Sequence, residues 1–97
     1  MANPRVLPDG TKEWIVGSTL HREAGPAIIH PNGSLFWYRN GLLRRTDSPA
    51  IIHPAGTQVW FRDGLLHRTD GPAVTRPDGT KEWWVDGEFV RREEAPR

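Results

Sequence analysis

The sequence predicts an all-β fold: short antiparallel strands and hairpins stacked into an elongated single-layer sheet. Three observations predict it. First, residues recur at a fixed spacing of 23, four times and without an insertion: Trp14, Trp37, Trp60 and Trp83; Arg22, Arg45, Arg68 and Arg91; Gly10, Gly33, Gly56 and Gly79. A strict period of this length is the signature of a stacked repeat array. Second, Asn40-Gly41, Asp63-Gly64 and Asp86-Gly87 stand between apolar runs. These dipeptides supply the two positive φ angles that a type I′ hairpin turn needs. Third, the chain holds 10 Gly and 9 Pro and shows no apolar face at helical period, which excludes helix.

Residues 1–6 are expected to be a flexible lead-in, and 7–97 a single domain with repeats over about 7–29, 30–52, 53–75 and 76–97. Each repeat opens on a turn such as Leu7-Pro8-Asp9-Gly10, where Pro presets φ and Gly supplies the positive φ. Thr11 to Val16 then reads as a strand, being β-branched and aromatic around Trp14. The hairpin turn follows; in the first copy it is the reversed pair Gly17-Ser18, the weakest of the four signals. Return strands are Thr19–Arg22, Leu42–Arg45, Leu65–Arg68 and Glu88–Arg91. Polar breaks come next at Ala24-Gly25-Pro26, Asp47-Ser48-Pro49 and Asp70-Gly71-Pro72; Pro cannot donate to a ladder, so a new strand starts or an edge lies there. That next strand is Ala27-Ile28-Ile29, Ala50-Ile51-Ile52 or Ala73-Val74-Thr75.

Residues 11–14 and 80–83 are both Thr-Lys-Glu-Trp, so Glu13 and Glu82 stand where the inner copies carry Phe36 and Val59. Arrays need polar terminal faces to stay soluble, and this reads as capping. The last copy loses its Gly-Pro-Ala motif in Arg92-Glu93-Glu94-Ala95-Pro96-Arg97, so the array is expected to be complete.

With 13 basic against 12 acidic residues, net +1, the chain is not built for bulk duplex DNA or an anionic bilayer. Of the basic residues all but Lys12 and Lys81 are Arg, the side chain of stacked and bidentate contacts. No cysteine is present, so no disulfide or thiolate metal site is possible. No apolar run follows Met1-Ala2-Asn3-Pro4-Arg5, so neither a signal peptide nor a membrane span is read, and a soluble, cytoplasmic protein is expected.

Trp-x-x-(Asn/Asp)-Gly, a His-Arg or Arg-Arg pair, Gly-Pro-Ala and Pro-Asp-Gly on a 23-residue period resemble membrane occupation and recognition nexus (MORN) repeats over residues 7–97. The resemblance implies an elongated, single-layer sheet of stacked hairpins. Two features depart from it. The close Gly-x-Gly pair is replaced, as in Arg68-Thr69-Asp70-Gly71, and residues such as Phe36 or Val59 stand where a glycine usually adjoins the aromatic. The His-Arg-x-Asp-Gly-Pro-Ala variant is similar to repeats scattered through phage, large-virus and bacterial proteins. It implies a phage or bacterial origin, and neither an activity nor a membrane role.

Two ladders carry the candidate chemistry. Trp14, Trp37, Trp60 and Trp83 form one row, and strand alternation puts Ile15, Tyr38, Phe61 and Trp84 on the opposite face. Return strands and dimerisation bury one row, or Tyr38, Phe61 and Trp84 are exposed to a partner. Arg22, Arg45, Arg68 and Arg91 stack on the tryptophans and pair with aspartates such as Asp47 and Asp70, a structural role. Alternatively Arg39, Arg44, Arg45, Arg62 and Arg68 form a basic strip. His30 and His53 share one register, but Arg76 and Arg44 occupy the histidine registers elsewhere, and a cation replaces a metal ligand badly. No metal or cofactor site is read.

Catalysis has no support: the three serines lie in turns and no phosphate loop precedes a helix. The expected function is a non-enzymatic protein-binding module that inhibits or sequesters a bacterial host protein by occupying its surface. Tyr38, Phe61 and Trp84 would be the anchors and Arg39, Arg44 and Arg62 the polar rim. The alternatives are single-stranded nucleic-acid binding by aromatic stacking and Arg, and a self-assembling, dimerising module.

Overall fold

Every recurrent turn in this chain bends the backbone into a conformation that only a few residues tolerate, and the sheet follows from those turns. The computed structural model describes residues 3–95. Asn40, Asp63 and Asp86 have φ of 51°, 51° and 48°, each followed by a glycine at 81–82°, so both centres of each hairpin turn are left-handed. Gly17 has φ 65° ahead of Ser18, and this reversed pair closes the same two-residue hairpin, with Ile15 opposite Leu20 and Val16 opposite Thr19.

The described residues form an all-β structure without helix. Nine strands make one antiparallel sheet in the order Arg5–Val6, Lys12–Glu13, Ile28–Ile29, Leu35–Phe36, Ile51–Ile52, Gln58–Val59, Val74–Thr75, Lys81–Val85 and Glu88–Glu93. The other strands are the hairpins Ile15–Val16/Thr19–Leu20, Tyr38–Arg39/Leu42–Leu43 and Phe61–Arg62/Leu65–Leu66. Backbone bonds tie each hairpin to the next, from the amides of Gly41, Gly64 and Gly87 to the carbonyls of Leu20, Leu43 and Leu66. The molecule measures 45 × 25 × 17 Å. Its radius of gyration of 14.4 Å exceeds the roughly 12.5 Å of a compact chain this long, so it is elongated.

Strand pairing sorts the central sheet into two faces. Arg5, Glu13, Ile28, Phe36, Ile51, Val59, Val74, Glu82 and Arg92 stand in one cross-strand row. Its middle is apolar and an ion pair closes it at each end, Arg5 with Glu13 and Arg92 with Glu82. Such direct cross-strand neighbours are the unit of sheet stabilisation. Ala27, Ala50 and Ala73 are fully buried where the sheet meets the hairpins. Their carbonyls accept from the amides of Trp14, Trp37 and Trp60, and their amides donate to Phe36, Val59 and Glu82.

Three features differ from the sequence reading. The lead-in is paired at its end: Arg5 lies opposite Glu13 and Val6 opposite Lys12, an edge strand in place of a loose segment; Met1 and Ala2 lie outside the described residues. Glu13 and Glu82 are covered rather than displayed, with side chains only 17% and 13% exposed and held by arginines. Finally, without a Gly-Pro-Ala break the last strand runs on, so Arg92 and Glu93 pair with Glu82 and Lys81. They take the place that Val74 and Thr75 hold beside Val59 and Gln58, and leave a charged edge that discourages further pairing. Pro96 and Arg97 lie outside the described residues.

Candidate functional site

The hairpin opposite each tryptophan carries one extra residue. Trp83 pairs with Arg91 and Trp84 with Phe89, which leaves Val90 as a bulge. In the earlier hairpins His21, Arg44 and His67 hold that place, and their amides donate to the carbonyls of Trp14, Trp37 and Trp60. A bulge re-aims the side chains that follow it. Here it sets each arginine against the indole opposite: Arg22, Arg45, Arg68 and Arg91 lie 3.8, 3.8, 3.9 and 3.8 Å from the ring centres of Trp14, Trp37, Trp60 and Trp83. Nη1 of Arg22, Arg45 and Arg68 also donates to the carbonyls of Pro26, Pro49 and Pro72, each at 3.2 Å. The guanidinium thus clips the hairpin to the polar break.

The two expected aspartate pairs differ. Arg68 Nε donates to Asp70 at 2.9 Å, which holds that carboxyl below the usual range, but among the described residues Arg45 and Asp47 form no ion pair. The residue after the aspartate explains it. A Cβ on Gly71 would stand 2.9 Å from the Arg68 guanidinium carbon. Ser48 carries that Cβ, and there Asp47 swings to φ 62°. Burial pushes the Arg45 guanidinium below its usual value.

These clips wall two adjoining grooves of about 620 and 480 Å³. The first lies between the break at Arg22–Pro26 and the next hairpin, with Trp37, Tyr38, Arg39 and Arg44 in its lining. The second repeats the arrangement with Trp60, Phe61, Arg62 and Arg68, and the two share Arg44, Arg45 and Thr46. Together they present six arginines against Glu23, Asp47 and Asp70, a net +3 on a chain of net +1. Salt links tie the rims: Arg39 to Glu23 at 3.1 Å, Arg44 to Asp63 at 3.0 Å, and Arg62 to Asp86 at 3.9 Å. Pairs this exposed exchange readily with other anions.

Of the six residues read from sequence as a partner surface, Tyr38, Arg39, Arg44, Phe61 and Arg62 line these grooves. Trp84 is in neither. Its indole donates to Glu82 at 2.9 Å and packs edge-on to Phe89 with ring centres 5.4 Å apart. Tyr38, Phe61 and Trp84 are half-buried rather than an exposed row. The more exposed large apolar side chains are others, among them Val16, Leu42, Leu65, Phe89 and Val90, each about half exposed. Trp37 lines the same groove as Tyr38, and Trp60 the same groove as Phe61. The sequence reading therefore missed Trp37 and Trp60 as groove residues. The period carries no sign of this, because the extra residue opposite each tryptophan recurs in every copy.

The histidines are held within the fold. Nδ1 of His21 and His67 accepts the turn amides of Asn40 and Asp86 at 2.9 and 3.0 Å. His30 and His53 bond Thr11 and Ser34 at 3.2 and 3.3 Å. Phe36 stands edge-on to both imidazoles, with ring centres at 5.3 and 6.0 Å, so it fills the space in which they would share an ion. Among the described residues no group of three His, Asp or Glu gathers to hold a metal, and no helix is long and apolar enough to cross a membrane. No protein-family model, curated protein or solved structure matches the chain.

Proposed function

We propose that the chain is a MORN-like array of four 23-residue units and a non-enzymatic module that binds another protein through the paired grooves. The observation that carries this reading is the groove surface itself, where half-buried Tyr38 and Phe61 lie among six arginines. Aromatic anchors within a ring of Arg are the composition of protein-binding hot spots. The array reading is supported by the Arg–Trp stack, which recurs at four positions 23 residues apart with almost the same separation. The resemblance to phage and bacterial repeats makes a bacterial host protein the first partner to seek, with inhibition or sequestration as the mode of action.

Affinity capture from bacterial lysate tests this. The wild type is expected to retain a discrete partner, the Arg39→Glu/Arg62→Glu variant to lose it, and Lys12→Glu/Lys81→Glu to keep it. Capture that is absent, or indifferent to the groove variant, overturns the reading.

Six arginines on one surface also favour a second reading, single-stranded nucleic acid. One face of Trp37 and of Trp60 is already covered by a guanidinium, which weakens it as a stacking platform. This reading requires oligothymidylate binding that falls steeply with added salt.

A further inference from the structure

The two grooves are copies of one another at a fixed separation. Tyr38 and Phe61 are 23 residues apart, as are Arg39 and Arg62, and each pair places one member in each groove. In the central sheet, Leu35–Phe36 and Gln58–Val59 are separated by the single strand Ile51–Ile52, so one period advances two strand spacings. At about 4.8 Å per spacing the grooves stand roughly 9.6 Å apart. A polyproline II helix has three residues per turn and rises about 3.1 Å per residue, so it returns the same face every ~9.3 Å. Each groove would then meet the same face of such a segment.

The chemistry fits the same ligand. The first groove sets half-buried Tyr38 beside the break at Pro26, and the second sets half-buried Phe61 beside Thr46, Asp47, Thr69 and Asp70; aromatic-lined grooves are surfaces onto which pyrrolidine rings pack. Beside each aromatic stands an exposed arginine, Arg39 at 49% and Arg62 at 58%, each paired among the described residues with a surface carboxylate that a ligand carboxylate can replace. The net charge of both grooves is positive.

Resting on the protein-binding reading of these grooves, we propose that the partner segment is an acidic polyproline II stretch with a carboxylate at every third residue. One carboxylate meets Arg39 and the next meets Arg62, while Arg44 and Arg45 lie between them. Sheet twist of about 20–25° per strand turns the second groove about 40–50° around the ligand, an offset the long Arg39 and Arg62 side chains can span, and carries a third site twice as far round. Two turns of the segment are therefore what the surface reads.

The test is titration of the full chain with a peptide of four Glu-Pro-Pro triplets. The comparison is a peptide of the same composition with its glutamates clustered at one end. Binding is followed by amide chemical shifts and tryptophan emission. The triplet peptide is expected to bind about ten-fold more tightly than the clustered one, to shift the amides of Tyr38, Arg39, Phe61 and Arg62, and to lose that advantage in Arg39→Glu but not in Lys12→Glu. Equal affinity for the two peptides, or no binding of either at millimolar concentration, overturns the proposal. Groove-dependent capture of a protein alongside peptide failure would leave the protein-binding reading standing and remove only the polyproline segment. Tighter, salt-sensitive binding of oligothymidylate at the same amides would overturn both in favour of nucleic acid.

Discussion

Arg45 sits over the Trp37 ring, its guanidinium carbon 3.8 Å from the ring centre, while the same guanidinium donates to the carbonyl of Pro49 at 3.2 Å. One side chain thus joins the hairpin to the break that follows it. A planar guanidinium can stack and donate in its own plane at once, and an ammonium cannot. Arg45→Lys is therefore expected to lower stability by about 1–2 kcal/mol despite conserving charge. Urea unfolding followed by tryptophan emission measures it, and a cycle with Trp37→Leu should return a coupling of about 0.5–1 kcal/mol. A Lys variant as stable as wild type would show that the stack contributes only charge.

Ala50 is fully buried, with its amide bonded to Val59 and its carbonyl to the Trp37 amide. Both backbone bonds hold the chain in place, so a larger side chain has no room made for it. Ala50→Leu is expected to cost about 1–3 kcal/mol. The exposed Ala24→Leu should stay within about 0.5 kcal/mol of wild type. Thermal melts of the two variants side by side check the contrast.

What the sequence disclosed was what recurs or what a turn type demands. Asn40-Gly41 and Asp63-Gly64 declare their hairpins because few other residues accept two successive positive φ angles. Trp37 and Arg45 share one period, and a shared period is the trace a repeated contact leaves. The groove was legible only by halves. Tyr38 and Phe61 stood out as an aromatic row, but strict alternation sent Trp37 and Trp60 to the other face. Yet Trp37 and Trp60 line the same grooves as Tyr38 and Phe61, and the extra residue opposite them, at Arg44 and His67, recurs in every copy and so leaves the period unchanged. Nor could the period reveal Arg5–Val6, which precedes the first copy and owes its strand to the open edge of Lys12–Glu13.

Among the described residues Glu82 is the most interlinked carboxylate. The Trp84 indole donates to it, Arg76 pairs with it at 3.0 Å and Arg92 at 3.7 Å; these partners hold its carboxyl below the usual range against the opposing effect of its burial. A carboxylate whose folded pKa is depressed stabilises the fold above its unfolded value, near pH 4.3, and that stabilisation is lost as pH falls through the folded value. Glu82→Gln is thus expected to cost on the order of 1 kcal/mol at pH 7 and much less at about pH 3. Urea midpoints across that range measure it. A cost that stays constant with pH would assign the loss to packing rather than charge.

Position 55 breaks a pattern that the other three turns keep. Asp9, Asn32 and Asp78 accept the amides of Thr11, Ser34 and Thr80 at 2.8, 2.9 and 2.8 Å. Ala55 has no side-chain oxygen to offer the Thr57 amide. The turn has relaxed in response: Gly56 sits at φ 110° where Gly10, Gly33 and Gly79 sit at 94–95°, and Thr57 is only half-buried where its three counterparts are buried. Ala55→Asp should close the turn as its neighbours are closed and raise the melting temperature by a few degrees at neutral pH. Ala55→Asn should do the same, since Asn32 already does so. The two part company in acid. The amide and hydroxyl of Thr11 and of Thr80 hold Asp9 and Asp78 below the usual aspartate range, so the bond is strongest to the ionised form. The gain from Ala55→Asp is then lost as pH falls through that lowered value, while the gain from Ala55→Asn persists. Equal gains at both ends of the pH range would show that the turn responds to side-chain shape alone.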